Sequence, residues 1–124
     1  MSESLTRNER LRRRADIRRV FEQGRSVGCR GLRLRVSENG LPYNRVLVVP
    51  PRKAGNAVRR NRLKRVGKEA YRRVKPEMKG GFDCAFVIYP GSYTFHDRID
   101  QVRRLLRDAR VLDEDLEHSW TRTP

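Results

Sequence analysis

Residues 56–74 carry the pattern that most limits the fold: a helical periodicity with a very narrow apolar stripe. At about 100° per residue, Leu63, Val66, Ala70 and Val74 fall within roughly 80° of one another. Asn61, Lys64, Arg65, Lys68 and Arg72 gather on the opposite side, flanked by Arg60 and Arg62. One edge of this helix must therefore pack on a sheet while the remainder presents cations. At 1.5 Å per residue the helix is about 28 Å long, enough to reach several consecutive phosphates. A solvated basic face would carry carboxylates at i±4, yet Glu69 is the single acidic residue between positions 56 and 74. Like charges at i,i+3 and i,i+4 each cost a few tenths of a kcal/mol, roughly, so the arrangement is unfavourable until an anion relieves it.

The rest of the chain has the same bias. Lys and Arg number 30 against 15 Asp and Glu, a formal net charge of +15, which points to a polyanionic partner. The 124 residues predict one domain over 1–112, opening with a basic arm at 1–13 and followed by an acidic tail at 113–124. No apolar run approaches the roughly 20 residues of a membrane span, and the N-terminus lacks the apolar stretch of a signal peptide. Cys29 and Cys84 lie in separate apolar segments and read as buried free thiols of a cytoplasmic protein. With His96 and His118 they form no zinc-binding spacing.

A capping box is predicted at Thr6 and Glu9, and Arg12-Arg13-Arg14 favours an extended arm after it. Ala15, Ile17, Val20 and Phe21 give a short helix over residues 14–23 that Gly24 ends. Val27 to Val36 reads as a strand region interrupted near Gly31, and Leu32-Arg33-Leu34-Arg35-Val36 alternates a buried face with a basic one. Asn39-Gly40, with Pro42, signals a hairpin turn into Arg45–Val49, a nearly continuous apolar strand suited to a central position. Phe82–Tyr89 is a further apolar strand, and Thr94 with Asp97 opens a last helix whose stripe is Ile99, Val102, Leu105, Leu106 and Ala109. These elements predict a two-layer α/β sandwich, read from the residues as α-β-β-α-β-α.

The run Gly55-Asn56-Ala57-Val58-Arg59-Arg60-Asn61-Arg62-Leu63-Lys64-Arg65 resembles the signature of the bacterial ribonuclease P protein. The other landmarks fall in that family's order: Leu11-Arg12 in the arm, Ala15 to Phe21 ending at Gly24-Arg25-Ser26, and a late strand and helix. The resemblance implies an α-β-β-β-α-β-α order, with one more short strand within residues 25–50. It also implies a mixed sheet with a left-handed βαβ crossover, a fold shared with ribosomal proteins. It further implies that Lys53, Asn56, Arg59, Arg60, Asn61, Arg62, Lys64, Arg65, Lys68 and Arg72 face a catalytic RNA. A cleft between the first helix and the sheet would hold the single-stranded 5′ leader of precursor tRNA, with Arg12, Ile17, Phe21, Arg35 and Val48 as its candidates. Relative to the family pattern, Ile17 replaces a common Phe, and Arg35 stands where an aromatic is frequent. Leu47-Val48-Val49-Pro50-Pro51 replaces a Gly-Leu-Ser-Val-Ser-like run, and Lys68 takes a frequent Arg position.

No constellation for protein-based catalysis is legible, since His96-Asp97 reads as a pair beside a helix cap. The resemblance instead assigns phosphodiester hydrolysis to an RNA subunit and its Mg2+, with no cofactor held by the protein and no membrane or obligate protein partner. Three other readings are a ribosomal or ribosome-associated RNA binder of similar fold, a DNA-binding module and a protein-only nuclease. Helix-turn-helix readout requires a helix placed before the recognition helix, whereas here a strand and two prolines precede the basic helix.

Overall fold

The structure, a computed structural model, describes residues 5–113. The predicted acidic tail, apart from Asp113, lies outside the described residues, as do His118 and the first four residues of the arm.

Helix α1 (Arg14–Gln23) leads into strands β1 (Arg25–Cys29), β2 (Leu32–Glu38) and β3 (Arg45–Val49). Helix α2 (Ala57–Val74), strand β4 (Phe82–Ile88) and helix α3 (Phe95–Asp108) follow. This is the α-β-β-β-α-β-α order. The extra strand comes from a break at Gly31, whose φ of +89° allows a tight turn between β1 and β2. The sheet order is β1-β2-β4-β3, antiparallel except for the β3/β4 pair, which α2 connects in parallel.

Two sequence expectations about β3 are corrected here. The residues around Asn39-Gly40 do not close a hairpin, because β4 lies between β2 and β3. Asn39 builds a local turn instead: its Oδ1 accepts from Leu41 N at 2.8 Å, and its Nδ2 donates to Asp83 Oδ1 at 3.0 Å. Asn44 Oδ1 accepts from Phe82 N at 2.8 Å, so the 39–44 connection is fastened to the start of β4. Strand β3 is an edge strand rather than a central one, and β4 takes the inner place. Its apolar continuity has another cause. Leu11 of the arm, 1% exposed, donates its N–H to Val46 O at 2.9 Å and covers that edge.

Strand alternation divides the sheet into two faces. Leu32, Leu34, Val36, Val46, Val48, Cys84, Phe86 and Ile88 form the main core with α2 and α3. Tyr71 of α2 meets Phe86 edge-on, with ring centroids 6.0 Å apart. Cys84 and the half-buried Cys29 are free thiols and not a disulfide, and burial pushes the Cys84 thiol up to about 12. The other face carries Ala85, sealed by Val20 of α1 and by Leu11, with Ile17, Phe21 and Leu47 around them. Gly24 ends α1 with an extended backbone, and a Cβ there would run into the carbonyl oxygens of Val20 and Val36.

That second face also buries charge. Asp83, 1% exposed, receives Arg45 Nε and Nη2 at 2.7 Å each, while Arg45 Nη1 reaches Asp16 Oδ2 of α1 at 3.2 Å. The hydrogen bonds that Arg45 donates to Asp83, ahead of the opposing effect of burial, hold its pKa above the usual value.

Helix α2 meets the sheet at Gly67. A Cβ there would lie 2.6 Å from Val48 Cγ1 and 3.3 Å from Ile88 Cδ1. Alanine favours helix by about 1 kcal/mol over glycine, but overpacking a core costs typically 1–3 kcal/mol. Gly67→Ala is therefore expected to lower stability on balance, read as a lower midpoint of urea unfolding; a raised midpoint would show that the contact yields.

Candidate nucleic-acid interface

Asn56 opens α2 as its N-cap, accepting from Arg59 N at 3.0 Å. Its oxygen is thus committed to the helix. Gly55, at φ +118°, precedes it, and any Cβ there would press on the Arg59 side chain. Arg60 also serves the fold. Its Nη1 donates to Pro51 O at 2.7 Å and Arg52 O at 3.1 Å, closing the loop that carries the exposed Lys53. Arg59, Asn61, Arg62, Arg65 and Lys68 are exposed and Lys64 is half-buried. Arg72 pairs with Glu69. Among the described residues, none of Arg59, Arg60, Arg62, Lys64, Arg65 and Lys68 has a carboxylate partner.

The carboxylates hold cations elsewhere. Besides the Asp83–Arg45–Asp16 group, Glu9 holds Lys75 at 3.1 Å and Glu77 holds Arg103 at 2.9 Å. Apart from Arg72, the α2 face is thus a band of cations with no carboxylate partner among the described residues, the electrostatic condition for gripping a phosphate backbone. Val58, 68% exposed, sits within it, an apolar contact point that sequence inspection passed over.

The leader-cleft candidates are divided. Ile17 and Phe21 are half-buried on the α1 face of the sheet, packed around Leu11, Val20 and Ala85. Arg35 lies on the same face, and its Nη1 caps the end of α1 by donating to Gly24 O at 3.1 Å. Val48 does not join them. It is 2% exposed in the core beneath α2, on the opposite face of the sheet. The neighbouring Leu47 is the β3 residue facing α1, since one step along a strand reverses the face. Arg12 is exposed and lines a basic cleft of about 470 Å³ together with Arg7, Arg10, Arg13, Tyr43 and Arg45.

A further buried cation was legible but overlooked. Arg98 stands four residues before Val102 on the α3 stripe and is only 3% exposed. It donates to Gly31 O at 3.0 Å, Gln101 Oε1 at 3.1 Å and Tyr89 O at 2.5 Å. Burial lowers its pKa from the usual arginine value. His96 is an exposed residue in the first turn of α3, beside the Thr94–Asp97 capping box. Among the described residues, no helix is long and apolar enough to cross a membrane, and no group of three or more His, Cys, Asp and Glu could hold a metal ion.

Comparison with known proteins agrees with this architecture. The family model described as Ribonuclease P matches residues 5–110. The ribonuclease P protein component of Thermotoga maritima is 42% identical over 87 residues, 70% of this chain and 74% of that protein. That of Alkaliphilus metalliredigens is 36% identical over 107 residues, covering 85% of this chain and 96% of its own. The solved RNase P protein from Thermotoga maritima superposes with a TM-score of 0.73 at 32% identity, over 81% of this chain and 96% of that one.

The arm is fastened across β3 by Leu11 and by Glu9, which accepts from Thr6 N at 2.9 Å and Lys75 Nζ at 3.1 Å. Burial acts to raise the Glu9 pKa, but the hydrogen bonds from Thr6 and Lys75 prevail and hold it below the usual carboxylate value. A depressed folded-state pKa contributes stability above the unfolded pKa, and that contribution disappears as pH falls through the folded one. Glu9→Gln is expected to reduce amide-exchange protection at Leu11 roughly two- to fivefold at neutral pH. The wild-type protein should lose the same increment on acidification below the carboxylate range, and the variant should not.

Proposed function

The chain belongs to the ribonuclease P protein family, and we propose that it binds the catalytic RNA of that ribonucleoprotein through α2 and the 5′ leader of precursor tRNA on the α1 side of the sheet. The observation that carries this reading is the row of unneutralised cations along α2, on the very run that resembles the family signature. Arginine forks pair with phosphate oxygens, and Asn61 can meet a base edge or a 2′-hydroxyl. Arg60 contributes indirectly by holding the loop from which Lys53 projects.

On the other face, Phe21 and Ile17 offer a partly exposed apolar surface beside Arg35, and Arg33 projects from the same side of β2. An unpaired base can rest on an aromatic ring whatever its identity, which suits leaders of varied sequence. Leu47 takes the place that the resemblance gave to Val48.

In this reading the RNA, with Mg2+ bound to it, performs the hydrolysis. Water attacks the phosphorus at the leader junction, the 3′-oxygen of the leader departs, and the mature tRNA keeps a 5′-phosphate. The protein's part is charge neutralisation and grip. Asp83, Glu9 and Glu77 are engaged in holding the fold together.

Reconstitution with a bacterial ribonuclease P RNA at low magnesium tests the proposal, the expected result being stimulated leader removal. Stable binding to ribosomal RNA with no stimulation of cleavage would favour the ribosomal alternative. Arg65→Ala should leave thermal stability unchanged, because this side chain has no internal partner. It should weaken assembly and reduce the slope of log affinity against log salt by about one. Phe21→Ala should weaken a long-leader precursor roughly five- to 100-fold, the range of one lost base stack, and leaderless tRNA far less. Equal loss on both substrates would assign Phe21 to packing alone.

A further inference from the structure

The apolar stripe of α2 is covered unevenly, although Leu63 touches the edge of the core. Ala70 and Val74 are fully buried, but Val66 and Leu63, one and two turns nearer the N-terminus than Ala70, remain partly exposed. The helix meets the sheet at Gly67, beside Val48 near the end of β3 and Ile88 at the end of β4. Its first half therefore extends past the strands. The chain that faces it there is the loop following β4, and between them lies a cleft of about 520 Å³. Leu63, Val66 and Tyr93 wall this cleft, and Lys53, Arg59 and Arg62 stand around it.

We propose that this cleft accepts one unpaired nucleobase of the RNA bound by α2, a contact that rests on the function proposed above. The chemistry fits a base with its flanking phosphates. A nucleobase has flat apolar faces, for which two aliphatic side chains and an aromatic ring are suitable walls. Its neighbouring phosphates require cations, and the surrounding cations have no carboxylate partners among the described residues. The volume lies within the roughly 300–1,000 Å³ of ordinary ligand pockets, and a base held in a duplex could not enter without being extruded.

The far wall is rigid. The Arg98 guanidinium lies 4.4 Å from the centroid of the Tyr93 ring. That guanidinium is itself fixed by the carbonyls of Gly31 and Tyr89. Gly31 and Gly91 press against the ring so closely that a Cβ at Gly31 would lie 2.7 Å from it, and one at Gly91 closer still. The tyrosine is therefore held in place before any RNA arrives, and little ordering cost falls on binding.

The test uses the full chain assembled with a bacterial ribonuclease P RNA. Ultraviolet irradiation followed by mass spectrometry should show Tyr93 crosslinked to a single nucleotide. Chemical probing should show that nucleotide unpaired in the free RNA and protected in the complex. Val66→Trp fills the cleft and should weaken assembly about tenfold while restoring reactivity at that nucleotide. The salt slope should stay as in the wild type, in contrast to Arg65→Ala. A folded Val66→Trp protein that assembles with unchanged affinity and protection would overturn the proposal, as would a Tyr93 crosslink to a paired nucleotide or to none. If Val66→Trp does not fold, the wild-type crosslink decides alone. Failure of the wild-type protein to assemble with the RNA would refute the function proposed above, and the base contact with it.

Discussion

The buried pair between Arg45 and Asp83 is the interaction on which the other parts of the molecule depend. It lies at the start of the parallel β3/β4 ladder, where these two residues are opposite one another. Through Asp16 the same guanidinium fixes α1, and through Asp83 the side chain of Asn39 fixes the connection that passes the end of β4. Removing Arg45 would leave the Asp83 carboxylate buried without its ion-pair partner, a loss of about 3–5 kcal/mol.

The scarcity of carboxylates gives that pair a functional counterpart. A chain with 15 acidic residues against 30 basic ones cannot neutralise every cation internally. Several of those described join elements distant in sequence: the arm to the end of α2, the turn after α2 to α3, and α1 to the sheet. The band along α2 receives almost nothing. The placement of a few negative charges therefore determines which surface stays electropositive, and the surface so left is the one that carries the ribonuclease P signature.

Much of this architecture was legible in the residues. Helix α1 ends at Gly24, β2 alternates between core and arginine, and α3 starts at its Thr94–Asp97 box, all from local pattern. What stayed hidden depends on distant contacts. A strand covered on its edge by an arm reads like an inner strand, so the position of β3 could not be inferred from its apolar run. A turn sequence at Asn39-Gly40 says nothing about a later strand inserting between its neighbours. Val48 was misplaced because period two makes adjacent residues face opposite ways, and a one-residue slip moves a side chain across the sheet. Leu63 and Val66 share the stripe of Ala70 and Val74, but near the end of the sheet they are covered only in part. Arg98 is the contrary case: its spacing from Val102 put it on the buried face, and charge alone argued otherwise.

The parallel pairing of β3 with β4 has a kinetic consequence. Its partners, Arg45 and Asp83, are 38 positions apart, and the intervening loop contains the whole of α2. Ladders formed between distant segments close late and slowly, because chain entropy must be lost before contacts compensate for it. Here the loop to be closed also contains a helix of mutually repelling charges, so the barrier carries an electrostatic component as well. Counterions that gather along the helix lower that component, and the speed of reaching the native state becomes sensitive to the ionic surroundings in which the chain folds.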